Sequence, residues 1–199
     1  MKKYLIILLT VLLPMTADAK INLNILGSKV DEATAAQHLK FKGTPMVGSY
    51  TKFAQSLTKN DRNIRIVSKD KTCVRLIDDF IGFENVDIQV YPSYVSKKVT
   101  HVKVFVPAGK QWQVVLRTYE EVKSYYVEKY GQQTKLVEEG PGEDPGQELQ
   151  KGDCYYLSQW ETEVGSIEIR IVYNDSESSF YVCIGYFDTD YHSELLDQI

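Results

Sequence analysis

The sequence predicts an α+β fold: antiparallel meander sheet with its helices packed on one face. Three observations carry this. Apolar and polar residues alternate in a series of short runs, as half-buried strands require. Two segments, 50–57 and 112–130, show helical spacing instead. The order reads helix, strands, helix, three strands, short helix, which is not the βαβ alternation of a parallel sheet. The stretches 40–107 and 110–199 share this order and read as two diverged α/β-meander halves of one domain spanning 20–199, with no residue-level repeat beside it.

Met1-Lys2-Lys3 precedes an apolar run, Pro14 breaks it, and Ala17-Asp18-Ala19 follows. A basic start, a short apolar run and small residues at −3 and −1 predict a signal peptide over 1–19, cleaved after Ala19. The run is too short for a bilayer, which needs about 20 apolar residues. No cysteine stands at the cleavage site, so the chain is expected to be periplasmic or extracellular and not a lipoprotein. Beyond it, Ile21, Leu23 and Ile25 alternate with Asn as a short strand or extended arm, and 31–38 holds one or two helical turns.

Leu39 to Gly43 alternates weakly, and Thr44-Pro45 and Gly48 punctuate the chain. Ser49 is a natural N-cap, because its hydroxyl can accept from an orphan N–H of the first turn. Tyr50, Phe53, Ala54 and Leu57 then place apolar groups on one helix face, and Asn60-Asp61 ends the helix. Strands follow at Ile64–Ile66, 73–81, 86–90 and 102–106, the last two stopped by Pro92 and Pro107. Trp112, Val115, Leu116, Tyr119, Val122, Tyr126 and Tyr130 predict a helix of about five turns, closed by Gly131. Its face Trp112, Leu116, Tyr119, Val122 and Tyr126 is expected to lie on the sheet. The Gly/Pro/Glu-rich segment 138–152 reads as a mobile surface loop. Strands at 154–162, 166–173 and 179–187 are joined by turns at Val164-Gly165 and 174–178, and Asp190 caps a short helix bearing Leu195, Leu196 and Ile199.

Composition narrows the function. Hydrophobic residues are 43% and charged ones 25%, enough apolar material for a core. A net charge of −4 argues against nucleic acid, whose phosphates need a basic face. No further stretch is apolar and long enough for a membrane helix. His38, His101 and His192 lack zinc-ligand spacing, and His101 is expected to be solvated on the polar side of its strand. Asp78, Asp79 and Glu84 are carboxylates of the kind glycoside chemistry uses, but neighbours on a strand face opposite ways. Glu138, Glu139, Glu143, Asp144 and Glu148 lack calcium-loop spacing. Cys73, Cys154 and Cys183 read as buried free thiols, because the hairpin registers keep Cys154 and Cys183 apart. No nucleophile elbow, P-loop or dinucleotide fingerprint occurs, so neither a cofactor nor an enzymatic activity is expected.

Leu39-Lys40-Phe41-Lys42-Gly43-Thr44-Pro45, the helix from Ser49, Glu128-Lys129-Tyr130-Gly131 and Trp160-Glu161-Thr162-Glu163-Val164-Gly165 resemble small exported uncharacterised proteins of gut Bacteroidota, over roughly 39–188. The resemblance implies export and brings no catalytic residue with it. The element order is also similar, at fold level, to β-lactamase-inhibitor-like α+β proteins and small outer-membrane assembly factors.

The last three strands define two faces. Tyr156, Ser158, Trp160, Ile167, Ile169, Ile171, Tyr173, Phe180, Val182, Ile184 and Tyr186 make one, apolar enough to lie under the long helix. The other carries Tyr155, Leu157, Gln159, Arg170, Val172, Tyr181, Cys183 and Phe187, with Leu157, Val172 and Tyr181 expected in one row. It is too apolar for a freely solvated face and too polar for a second core. It packs against the N-terminal half or arm, or it is a recognition patch of Tyr155, Leu157, Tyr181 and Phe187 oriented by Arg170. The expected function is that of an exported binding protein acting on a protein or envelope component. A carbohydrate-binding module using exposed Tyr and Trp, or an enzyme with an unrecognised site, is the alternative.

Overall fold

The computed structural model describes residues 24–25, 28–29, 31–152 and 154–189. The expected signal segment, most of the N-terminal arm and the short C-terminal helix lie outside them. The elements run β1 (Asn24–Ile25), β2 (Ser28–Lys29), α1 (Glu32–Ala36), β3 (Lys40–Phe41), β4 (Thr44–Pro45), α2 (Tyr50–Asn60), β5 (Arg65–Lys69), β6 (Val74–Phe80), β7 (Phe83–Pro92) and β8 (Val99–Gly109). They continue with α3 (Trp112–Tyr130), β9 (Lys135–Glu139), α4 (Pro145–Lys151), β10 (Tyr155–Thr162), β11 (Gly165–Asn174) and β12 (Ser179–Asp188).

One antiparallel sheet of eight strands dominates, in the order β5-β6-β7-β8-β12-β11-β10-β9. Each half has a long helix followed by four strands, α2 with β5–β8 and α3 with β9–β12, the second half inserting α4 between β9 and β10. The last strands of the two halves, β8 and β12, pair along the middle. Left alone, each would be a long apolar edge, so their pairing removes two sticky edges at once. The remaining edges, β5 and β9, are short and charged, with Arg65 and Lys69 on one and Lys135, Glu138 and Glu139 on the other.

Both long helices lie on the same side. α2 packs on β6–β8 and α3 on β8, β11 and β12. Ser49 Oγ accepts from Lys52 N at 3.4 Å, the expected cap. Phe53, Ala54 and Leu57 are buried beneath it. α3 buries Val115, Thr118, Tyr119, Val122 and Tyr126, while Trp112 and Leu116 sit only part-buried at the margin. Two hydroxyls reach polar partners in this core: Tyr119 bonds Ser158 Oγ at 2.8 Å, and Tyr126 bonds the Tyr186 hydroxyl. The β3–β4 hairpin plugs one end, with Phe41 stacked on Phe80 at 5.6 Å and edge-on to Tyr186.

Several expectations need correction. Segment 138–152 is not a structureless loop: 135–139 forms edge strand β9, and Asp144 caps α4 by accepting from Gln147 N at 3.1 Å. Asp144-Pro145 followed by Gly152 in the left-handed region was a readable start-and-stop signal. Pro107 does not end its strand. β8 runs on to Gly109 because it extends beyond its pairing with β7, so the missing N–H costs no ladder bond there. The β10–β11 turn is Glu163-Val164, and Gly165 is already in β11, opposite Thr162 and Asp188. A Cβ on Gly165 would lie 2.1 Å from the Phe187 carbonyl oxygen, so only glycine lets β12 pass this closely. That moves the β10 register by two residues. Both faces survive, but Leu157 falls opposite Arg170 rather than in a row with Val172 and Tyr181.

Candidate functional site

Strand alternation sends every second side chain of β6–β8 and β10–β12 away from α2 and α3, onto the opposite face of the sheet, which α4 borders at Tyr155, Arg170 and Val172. Register fixes its rows. Asp87, Phe105, Cys183, Arg170 and Leu157 form one. Gln89, Lys103, Gly185, Glu168 and Gln159 form the next. Tyr91, His101 and Phe187 form a third. Tyr181 lies opposite both Pro107 and Val172.

The third row is a stack. The His101 ring lies 4.5 Å from Tyr91, 8° from parallel, and 5.7 Å from Phe187 at 19°. Burial between them holds the imidazole proton affinity down, to a pKa of about 4, and Lys103 on the same strand adds to this. His101 is therefore neutral at pH 7, and it is half-buried rather than solvated as expected. Phe105 meets Tyr181 edge-on at 6.4 Å. Burial also pushes the Tyr91 hydroxyl up to about 12 and the Cys183 thiol up to about 11. Cys183 thus stays a thiol at neutral pH and is a poor nucleophile.

Charges on this face are arranged around the rings. Lys103 Nζ sits 5.6 Å from the Tyr91 ring centre and has no carboxylate partner among the described residues. The Arg170 guanidinium lies 5.5 Å from the Tyr155 ring while its Nη2 meets Glu168 at 2.8 Å. Arg75 binds Asp87 through two nitrogens, at 3.2 and 3.1 Å. Between Lys103, Arg170, Cys183 and Phe187 a shallow hollow of about 320 Å³ opens, floored by Gly185. A Cβ on Gly185 would stand 2.5 Å from the Phe187 ring, so glycine here lets that ring lie across the strand.

Of the five patch residues read from sequence, Tyr155, Arg170, Tyr181 and Phe187 are half-buried on this face, and Tyr155 and Arg170 touch. Leu157 is not a surface residue. At 1% exposure it lies under its neighbours and cannot reach a partner. Of the other reading, the N-terminal half does not cover the face, while most of the arm from Lys20 lies outside the described residues. The N-terminal half extends the sheet sideways through β8 and so adds Tyr91, His101, Lys103 and Phe105, which the patch lacked. Alternation already placed the last three on one side of their strand, but nothing local named β12 as the neighbour.

The remaining candidates separate. Asp78 is buried and paired with Lys42, whereas Asp79 is exposed and accepts from Asn85 N at 2.9 Å; Glu84 is exposed as well, so these acids share no site. Glu138 pairs with Lys123 at 2.6 Å, and Glu148 accepts from Gly142 N and Asp144 N, so these acids are engaged in tying down α4 and β9. No cluster of three metal-ligating side chains occurs among the described residues. His38 Nδ1 meets the buried Asp188 Oδ1 at 2.9 Å, and Asp188 Oδ2 accepts from Leu39 N at 2.8 Å, tying the segment between α1 and β3 to the end of β12. Cys73, Cys154 and Cys183 are free thiols. No helix of the described residues is long and apolar enough to cross a membrane. No family model, no curated protein and no solved structure matches the chain.

Proposed function

We propose that this chain is an exported, non-enzymatic binding protein of the periplasm or cell exterior, without a lipid anchor, which uses the sheet face turned away from α2 and α3 to hold a protein or envelope partner. One observation carries the reading. A group of aromatic rings and cations, Tyr91, His101, Lys103, Phe105, Arg170 and Tyr181, is mounted on neighbouring strands and left half-buried, with neither α2 nor α3 over it. Tyrosine and arginine anchors on a rigid support are the composition of protein interfaces, because they bring large contact area at little entropic cost. A sugar platform is supported less well. The faces of His101, and one face each of Tyr91 and Phe187, are already taken up by stacking on one another. The residues near the hollow also support a binding role, because a protonated thiol and a neutral, enclosed imidazole make no activated nucleophile.

The test compares the wild-type chain with Tyr181→Asp and Lys103→Glu. Partners captured from envelope extract are purified and titrated against all three, with a glycan array run in parallel. Expected is a loss of at least tenfold in protein affinity with the melting temperature kept. A glycan signal that both variants retain, or equal affinity throughout, would reject the face.

A further inference from the structure

Lys103 stands apart from the other charges on the sheet face turned away from α2 and α3. Arg75 is bound to Asp87 through two nitrogens, and Asp87 Oδ2 also accepts from Gln89 Nε2 at 2.6 Å. Glu168 Oε2 accepts from Arg170 Nε at 3.0 Å and from Nη2 at 2.8 Å. Each of these pairs is neutral in sum. Lys103 has the Tyr91 ring at 5.6 Å, but neither a carboxylate nor a hydrogen-bond acceptor among the described residues. Its three ammonium donors are therefore unused within the described chain, and so are those of Arg170 Nη1.

The sheet leaves a gap beside this ammonium. Lys103, Gly185 and Glu168 stand opposite one another on β8, β12 and β11. Neighbouring strands lie about 4.8 Å apart, so the backbones at Lys103 and Glu168 are about 10 Å apart with no side chain between them. Cys183 and Phe187 bound the gap along β12, and Arg170 and Val172 bound it on β11, which makes the hollow of about 320 Å³. The charges of Lys103, Arg170 and Glu168 all act on the Cys183 thiol in this hollow, so the three converge there.

Charge selects the occupant. Arg170 and Glu168 cancel, which leaves the hollow with the one positive charge of Lys103. One carboxylate neutralises it. A phosphate or sulfate dianion would leave excess negative charge beside Glu168, and a cation would meet Lys103 uncompensated. Depth selects the source. The hollow is shallow, and a small free ligand needs most of its surface covered to be held well. An acidic side chain on a protein surface gains the rest of its contact from the aromatic groups beside the hollow, Phe187 and His101 on one side and Tyr155 on the other.

We propose that the hollow floored by Gly185 is a subsite for one carboxylate, the side chain of an aspartate or glutamate on the protein partner, with Lys103 as its counter-ion and Arg170 as the second donor. This rests on the reading of the sheet face as a binding surface and names the chemistry that the face selects. The test needs no purified partner at first. Doubly capped glutamate, N-acetylated and amidated, and its glutamine analogue are titrated into the isotope-labelled full chain while the amide signals of Cys183 and Gly185 are followed by nuclear magnetic resonance. Capped glutamate should move both signals saturably, with half-saturation on the order of 10 mM, and the glutamine analogue should move neither. Lys103→Gln should weaken capped glutamate about tenfold, and Lys103→Arg, which keeps the charge, should restore it, with unfolding unchanged in both. No shift, equal shifts from the glutamine analogue, shifts kept in Lys103→Gln, or tighter binding of inorganic phosphate would each overturn the carboxylate subsite. Acetate or succinate held at least tenfold more tightly than capped glutamate would make the ligand a small molecule and overturn the protein source. Partner affinity lost in Tyr181→Asp but kept in Lys103→Gln rejects the subsite and leaves the sheet face standing. Partner affinity kept in Tyr181→Asp, with capped glutamate still bound at Gly185, rejects the wider face and leaves the subsite.

Discussion

His101 sets a measurable acid limit on this fold. Its ring lies between Tyr91 and Phe187 with Lys103 close by on the same strand, and its pKa falls from 6.5 to about 4. An unfolded chain takes up the proton near pH 6.5, whereas the folded chain resists it until about pH 4. The stability this residue contributes is therefore fully present above pH 6.5 and drains as the pH falls towards 4. Each pH unit across that window costs about 1.4 kcal/mol, or about 3 kcal/mol in all. The lowered carboxyls of Asp31, Asp61 and Asp70 act in a lower window, at and below their ordinary value of 3.8. His101→Phe keeps a ring in the stack and removes the proton, at the cost of a 3.3 Å contact with Thr100 Oγ1. Urea unfolding from pH 7.5 to 4 should show the wild-type curve falling away from the variant by about 3 kcal/mol. Parallel curves would mean that protonated His101 is well solvated in the fold, and the enclosed stack would be wrong.

Three further outcomes are open to direct measurement. If the expected signal segment is cleaved, amino-terminal sequencing of the chain purified from the producing cell should begin at Lys20, and an intact Met1 would refute cleavage after Ala19. Gly165→Ala should cost about 1–3 kcal/mol or more in chemical unfolding, since φ is 140° and the new Cβ meets the Phe187 carbonyl at 2.1 Å. A neutral result would show that the β11–β12 contact is looser than described. Denatured protein should react with three equivalents of thiol reagent without reduction, and a count of one would establish a disulfide among Cys73, Cys154 and Cys183.

The candidate face was half legible. Period-2 alternation put Tyr155, Arg170, Tyr181 and Phe187 on one side of the last sheet, and they are there. It equally put His101, Lys103 and Phe105 on one side of an earlier strand. Joining the two groups required knowing that β8 pairs with β12. Leu157 shows the same limit from the other direction, because alternation assigns a side but not what lies over it.

Local pattern was enough for α2 and its Ser49 cap, for α3 as far as Gly131, and for the inward and outward sides of β6–β8 and β10–β12. Each of these depends on residues within a few positions of one another, where capping, helical spacing and strand alternation act. Tertiary structure decided the rest. Strand β9 and helix α4 are too short to hold by propensity, and they exist through pairing with β10 and packing against β11. The two-residue register of β10 was decided by how closely β12 passes Gly165, and the depressed pKa of His101 by rings on two other strands. A side chain's orientation is a property of its own strand, but its neighbours and its solvation are set by segments up to about a hundred residues away, which no local pattern encodes.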